Sequence, residues 1–229
     1  MRDRKDVTVN RVNLSYTVDG DADAPAMVLL HGAGAVGADW DPVIPAFAKD
    51  HRVYVPDLRG HGASDWPGQY SFELMRDDVL AFLDRLDLND VVLIGHSMGG
   101  TVAWLAAEDR PDRLRCVVLE DTPPPMPGTP PLPKRVRPDR PLPFDWNARE
   151  AIVAQVNNPD PEWWDRAAEI RLPTLIIAGG PDSHVPQDLL AELAERIPDC
   201  RLITIPAGHH VHAERPEEFV AAVRAFLQP

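Results

Sequence analysis

Short apolar runs recur along the chain: Met27 to Leu30, Val53 to Val55, Val91 to Ile94, Cys116 to Leu119, Leu175 to Ala178 and, broken only by Thr204, Leu202 to Ile205. None exceeds four residues, the pattern of strands covered on both faces of a sheet. Between them the apolar positions step by three and four. Phe72, Met75, Val79, Phe82, Leu83 and Leu86 form one such stripe, and Leu189, Leu190, Leu193 and Ile197 another. Phe219, Val220, Val223, Phe226 and Leu227 form the last, with Pro216 placed for a first helical turn. Alternating strands and helices predict an α/β fold: a mostly parallel sheet with helices on both faces. Val7 to Val18 alternates without a helix and predicts an antiparallel edge hairpin.

One stretch departs from this rhythm. Residues 122–143 hold ten prolines, from Pro123 to Pro143, and continue neither a helix nor a central strand. A short helix is expected from Asn147 to Val156, and Asp165 to Ile170 leads back toward the sheet. We read 1–121 and 171–229 as one core domain and 122–170 as a cap inserted over the C-terminal edge of the sheet. Ligands bind at that edge in open α/β folds.

Composition narrows the classes of function. The 229 residues carry a net charge of −13, which works against nucleic acid and anionic membranes as partners. A hydrophobic fraction of 44% excludes wholesale disorder. The charged start, Met1 to Asp6, is not followed by an apolar stretch, and a cytoplasmic protein is expected. Cys116 and Cys200 form no C-x-x-C pair, and Cys116 lies in a strand run, where a thiol packs as a small hydrophobe.

The chemistry begins at Gly95-His96-Ser97-Met98-Gly99-Gly100. This is G-x-S-x-G between a strand, Val91 to Ile94, and a helical stretch, Thr101 to Ala107. A sharp turn there lifts the hydroxyl clear of the sheet, and only small neighbours let the flanking chain approach. The helix N-terminus beneath favours developing negative charge. Serine is a weak nucleophile and needs a base. His209, in Ala207-Gly208-His209 past the last strand run, is the best placed, with His210 as an alternative. The base needs an acid to fix its tautomer. Asp182 follows the run Leu175 to Ala178 and is expected in that role; Asp121, at the end of Cys116 to Leu119, competes for it.

His31-Gly32-Ala33-Gly34 follows the run Met27 to Leu30. An acyl-transfer site needs two backbone N–H groups aimed at the carbonyl oxygen, and those of Ala33 and Met98 are the candidates. The same loop also fits a dinucleotide-binding pattern. Gly32-Ala33-Gly34-Ala35-Val36-Gly37 reads G-x-G-x-x-G, and Asp57 ends the next strand, 20 residues beyond Gly37. Against that reading, Asp41-Pro42 places the helix start several residues beyond the glycines, and Ser97, Asp182 and His209 go unexplained.

Together these segments resemble the α/β-hydrolase superfamily. The resemblance runs from about Val7 to the C-terminus and rests on five places. They are His31 to Ala33, Asp57-Leu58-Arg59-Gly60-His61-Gly62-Ala63-Ser64, Gly95 to Gly100, Gly179 to Pro186, and Gly208-His209. It implies an eight-stranded, mostly parallel sheet with a cap after the sixth strand, and cofactor-free hydrolysis through an acyl-enzyme. The short, proline-rich cap departs from relatives that carry several cap helices. Ser97 at the elbow disfavours the branches that use an aspartate nucleophile.

The expected activity is that of a serine hydrolase cleaving a carboxylic ester, thioester or lactone through an acyl-enzyme, acting on a small, apolar acyl substrate with no cofactor and no metal. Cleavage of a C–C bond beside a ketone, perhydrolysis or haloperoxidation by the same triad, and a non-catalytic binder are the alternatives. Trp146, Trp163, Trp164 and His184 are candidate pocket residues; Trp40 fits core or pocket. His96, His31 and His61 read as packing and loop-organising residues. His209-x-x-His212 lacks further ligands at metal spacing. Lys134, Arg135, Arg137 and Arg140 form a basic cluster in an acidic chain, either a solvated loop or a guide for a carboxylate-bearing substrate.

Overall fold

The structure is a computed structural model that describes residues 3–122 and 131–228. The expectations for Met1, Arg2 and the first prolines, Pro123 to Pro130, lie outside the described residues. Eight strands form one sheet in the order β1-β2-β4-β3-β5-β6-β7-β8. They are β1 (Arg4–Val9), β2 (Val12–Asp19), β3 (Ala26–Leu30), β4 (Arg52–Pro56), β5 (Val91–His96), β6 (Leu114–Glu120), β7 (Thr174–Ala178) and β8 (Cys200–Thr204). β1 and β2 form the expected antiparallel hairpin, β2 pairs antiparallel with β4, and the remaining pairs are parallel. β8 departs from the expectation of a fully covered strand. It has a neighbour on one side only, and Leu202 is 38% exposed.

The period-2 alternation of strand side chains splits the core into two layers. Val28 and Leu30 of β3 and Leu93 of β5 face α2 (Phe72–Arg85) and α3 (Met98–Asp109). Met27, Leu29 and Ile94 face α1 (Ile44–Phe47) and α8 (Pro216–Leu227) on the other side. α2 starts where Ser71 accepts a hydrogen bond from Leu74 N–H, an N-cap, and buries its Phe72, Met75, Val79, Phe82 and Leu83 stripe. Each of these side chains, fully buried, contributes about 1.5–3 kcal/mol. The expected helix start at Asp41-Pro42 shifts: a 3₁₀ turn at Gly37–Trp40 comes first, and α1 begins at Ile44.

Between β6 and β7 lie α4 (Trp146–Asn157) and α5 (Glu162–Arg166), preceded by residues 131–145, whose one β-bridge joins Phe144 to His61. The Asp145 side chain caps α4 by accepting from Asn147 N–H and also accepts a hydrogen bond from Tyr70. Gln155 ties the helix to Phe72 N–H and Glu73. α5 docks through Trp163, edge-on to Phe72, and Trp164, edge-on to Trp104. α6 (Gln187–Arg196) and α7 (Val211–Glu214) flank the last strand.

The loop after β4 is clamped by a buried ion pair. Arg59 Nε and Nη2 donate to Asp78 Oδ2 and Oδ1 at 2.6 and 2.7 Å, and Asn10 donates to the same carboxylate. Both partners are at most 5% exposed, so removing one leaves an uncompensated buried charge. Asp78→Ala is expected to lower the unfolding free energy by about 3–5 kcal/mol, read from urea melts. A change under about 1 kcal/mol would contradict the clamp.

Candidate active site

Ser97 sits between β5 and α3 with φ 51° and ψ −120°, a left-handed conformation forced on a non-glycine residue. Such strain costs about 1–3 kcal/mol and persists only where the surroundings impose it. The glycines explain how. A Cβ on Gly95 would lie 2.2 Å from the Gly99 carbonyl oxygen, and one on Gly99 would lie 2.3 Å from that of Leu30. The Ser97 hydroxyl caps nothing in α3 and stays free for chemistry.

The end of β6 holds the elbow in place. Ser97 N–H donates to the Glu120 carbonyl (3.1 Å), and the Thr122 hydroxyl donates to the Ser97 carbonyl (2.8 Å). Between those two residues stands Asp121. Its Oδ2 accepts the Nδ1–H of His209 at 2.8 Å, which leaves His209 Nε2 bare as a proton acceptor. The same carboxylate also accepts from Gly179 N–H (2.9 Å), the Gln187 amide (3.1 Å) and the Ser183 hydroxyl. Burial alone would push the Asp121 carboxyl up; the His209, Ser183, Gly179 and Gln187 hydrogen bonds outweigh it and hold the group below the usual aspartate range. No hydrogen bond within 3.5 Å joins the Ser97 hydroxyl to His209 here, a link that commonly tightens only with substrate bound.

The expectation for Asp182 is therefore corrected. Asp182 is exposed, and the carboxylate on the imidazole is that of Asp121. β6 and β7 are neighbours, so their C-terminal ends lie side by side, and either could present an acid to the loop after β8. Asp121 takes φ 46°, with its N–H on the Ile177 carbonyl, and this turns its side chain across the end of β7. Asp182 lies beyond the Gly179-Gly180 turn. No signal in the sequence separates the two acids, since each follows the end of one of two adjacent strands.

His210 does not take the place of His209 on the acid. His209 O accepts from His96 Nε2 at 2.8 Å, so His96 pins the loop backbone as well as packing. A second acid–histidine pair lies beneath. Glu120 Oε2 accepts the Nδ1–H of His212 at 2.8 Å, and Oε1 accepts the His212 backbone N–H at 2.9 Å. Trp40 is core: it is fully buried and stacks on the His212 ring at 4.1 Å.

Beside Ser97, Ala33 is exposed, and Met98 is the first residue of α3, so its N–H lacks an intrahelical partner. Two buried histidines shape the Ala33 loop. His31 donates from Nδ1 to the Gly32 carbonyl (2.8 Å) and accepts Leu58 N–H at Nε2 (3.0 Å). His61 donates from Nδ1 to the Arg59 carbonyl (3.0 Å) and accepts Gly34 N–H at Nε2 (3.3 Å). Both act as neutral rings. Burial pushes His31 down, and burial together with the neighbouring His31 pushes His61 down to about 3.

The dinucleotide reading fails at its acid. Asp57 is buried and saturated by Gly37 N–H (2.7 Å), Ala63 N–H (3.0 Å) and Arg4 Nη1 (2.6 Å), leaving nothing to grip a ribose. Of the pocket candidates, Trp163 and Trp164 are taken up in packing α5 onto the core, at 2% and 4% exposure. Trp146 stacks on Phe144, which faces Gly34 of the Ala33 loop, and His184 lies edge-on to His209 at 4.2 Å. Among the described residues no group of three or more His, Cys, Asp or Glu could hold a metal, and no helix is long and apolar enough to cross a membrane. Both thiols are free, and burial pushes each up to about 12.

Comparison with known proteins shows the family. The profile of the α/β hydrolase fold family matches residues 25–158. A mouse protein, sn-1-specific diacylglycerol lipase ABHD11, is 29% identical over 93% of this chain and 85% of its own length. The crystal structure of a hydrolase from Pseudomonas aeruginosa superposes with a TM-score of 0.85 at 27% identity, covering 99% of this chain and 98% of that one. Est816, described as an N-acyl homoserine lactone degrading enzyme, superposes at 0.82 with 28% identity over 97% of this chain and all (100%) of its own. The chain belongs to the α/β hydrolase fold family. Within it, the protein is a serine hydrolase.

The histidine tautomers carry a pH dependence. His31, His61 and His96 all have folded-state pKa values below the ordinary 6.5; burial is the main cause, and for His96 the histidines around it add to it. The unfolded chain takes up protons below about pH 6.5 while these rings stay neutral, so stability is full above that pH and falls below it. Each ring contributes a slope of up to about 1.4 kcal/mol per pH unit. Asp121 adds a further loss only below about pH 4, where its unfolded form is protonated. Urea midpoints are expected to drop steeply between pH 6.5 and 5; a flat profile would contradict the neutral assignment.

Proposed function

We propose that the protein hydrolyses carboxylic esters or lactones through an acyl-enzyme, with Ser97, His209 and Asp121 as the triad. The reading rests chiefly on the His209–Asp121 hydrogen bond. It fixes the tautomer that leaves Nε2 free, on the same rim as a strained, uncapped serine. The relatives named as an sn-1-specific diacylglycerol lipase and an N-acyl homoserine lactone degrading enzyme support esters and lactones as the substrate class.

Ser97 Oγ attacks the carbonyl carbon as His209 Nε2 takes the hydroxyl proton. The C=O electron pair moves onto oxygen, and the Ala33 and Met98 N–H groups stabilise that oxyanion, each by about 3 kcal/mol. Collapse breaks the bond to the leaving alkoxide, which receives the proton from His209. Water then attacks the acyl-enzyme with His209 as base, and Ser97 leaves with the proton. Asp121 stabilises the imidazolium in both halves. Its four hydrogen-bond donors keep it ionised, as that role requires.

A fluorophosphonate probe is expected to add one covalent mark, on Ser97. Ser97→Ala is expected to lose about 10⁶ in kcat on p-nitrophenyl esters. Asp121→Asn is expected to lose about 10⁴, whereas Asp182→Asn stays within about threefold of wild type. The reverse order of the two aspartate variants, or a probe mark elsewhere, would overturn the assignment.

A further inference from the structure

The two strands that lead to Ser97 and Asp121 each end on a buried polar side chain that the reaction itself does not use. His96 ends β5, and Glu120 ends β6. The two are paired in register across the strands. They continue the apolar rows of Val92 and Ile94 and of Cys116 and Val118, on the face of the sheet that packs against α1 and α8. An imidazole and a carboxylate in such a row carry a desolvation cost that only specific hydrogen bonds offset.

Both sets of bonds go to one loop, the one that carries the base. His96 Nε2 donates to the backbone carbonyl of His209 itself at 2.8 Å. Three residues on, Glu120 Oε1 accepts the His212 backbone N–H at 2.9 Å, and Oε2 accepts His212 Nδ1–H at 2.8 Å. The His212 ring commits its hydrogen bonding to Glu120: its Nε2 is buried without a partner among the described residues, and its face stacks on Trp40. The chain between the two grips is a closed turn, with Ala213 and Glu214 N–H on the His210 carbonyl and Val211 fully buried. The His96 ring lies 4.6, 5.0 and 5.2 Å from the rings of His209, His210 and His212, in contact with the whole turn. Asp121 fixes the tautomer and direction of the His209 ring. The height of that ring over Ser97 depends on where the His209 backbone lies, and the two grips set that.

We infer that His96 and the Glu120–His212 pair are positioning residues, which hold the backbone of the base loop where His209 Nε2 can take the Ser97 proton. They touch neither substrate nor reacting atoms. The inference rests on the triad proposed above and gives a role to groups outside it. A misplacement of about 1 Å at a reacting group costs up to about 100-fold in rate, so a loosened grip shows in the chemical step.

The test uses paired variants on p-nitrophenyl butyrate, with rates expressed per site titrated by the fluorophosphonate, so that unfolded chain does not count. His96→Phe and His212→Phe keep an aromatic ring and lose the donor; His96→Gln and His212→Asn keep a side-chain N–H. Each Phe variant is expected to lower kcat about 30- to 100-fold with KM within about threefold, and each amide variant to recover at least about fivefold of that loss. A merely structural role would lower the number of titratable sites and leave kcat per site unchanged. A Phe variant whose kcat per site stays within about threefold of wild type, or an amide variant no better than its Phe counterpart, overturns the inference and leaves the hydrolase reading standing. Where a Phe variant yields no folded chain, nitrogen-15 NMR of histidine-labelled wild-type protein decides. The proton is expected on Nε2 of His96 and on Nδ1 of His212; either ring protonated only on its other nitrogen overturns the inference. Wild-type protein without turnover and without a probe mark on Ser97 overturns the triad itself.

Discussion

The site depends on three consecutive residues at the C-terminal end of one strand. Glu120 holds the Ser97 amide by its carbonyl, Asp121 holds His209 by its carboxylate, and Thr122 holds the Ser97 carbonyl by its hydroxyl. Ser97 and His209 come from segments more than a hundred residues apart, yet both are registered against this short stretch. β6 pairs with β5 from Leu114 to Glu120 and with β7 from Val117 to Glu120, so the start of this stretch is held on both sides. A rigid element under the reacting groups is what catalysis by orientation requires.

The strand alternation also accounts for the two acid–histidine pairs. Cys116 and Val118 point to the α1 and α8 layer, and Glu120 continues that row, so its carboxylate falls beneath the sheet onto His212. Asp121 comes just past the strand, in a left-handed conformation, and turns across β7 to His209. The loop carrying the base is therefore held from above and below, with His96 fixing its backbone between them. Each buried carboxylate has its hydrogen bonds satisfied, which is the condition for keeping such charges inside a protein.

The oxyanion rim solves a different problem. In the proposed mechanism its loop keeps backbone amides free toward the substrate, so its other polar groups need internal partners. Neutral His31 and His61 supply them, each donating from one nitrogen and accepting at the other. Asp57, which mimicked a ribose-binding acid, belongs to the same scaffold and ties the glycine loop to the turn after β4. Motif resemblance and structural use diverge here because a carboxylate at a strand end is equally suited to capping backbone N–H groups.

Local pattern was enough for much of this protein. Apolar runs and three-to-four spacings marked the strands and helices, because burial on one or two faces imposes those periods directly on the chain. Ser97 was legible because the elbow's close backbone approaches exclude every residue but glycine at Gly95 and Gly99. His209 was legible from its place after the last strand. The acid was not, since Asp121 and Asp182 end adjacent parallel strands and differ only in which way a backbone turn aims the side chain. The roles of Trp163 and Trp164 were likewise settled by how α5 docks on α2 and α3. Such contacts join residues distant in sequence, and no spacing along the chain encodes which face of a short helix meets the core.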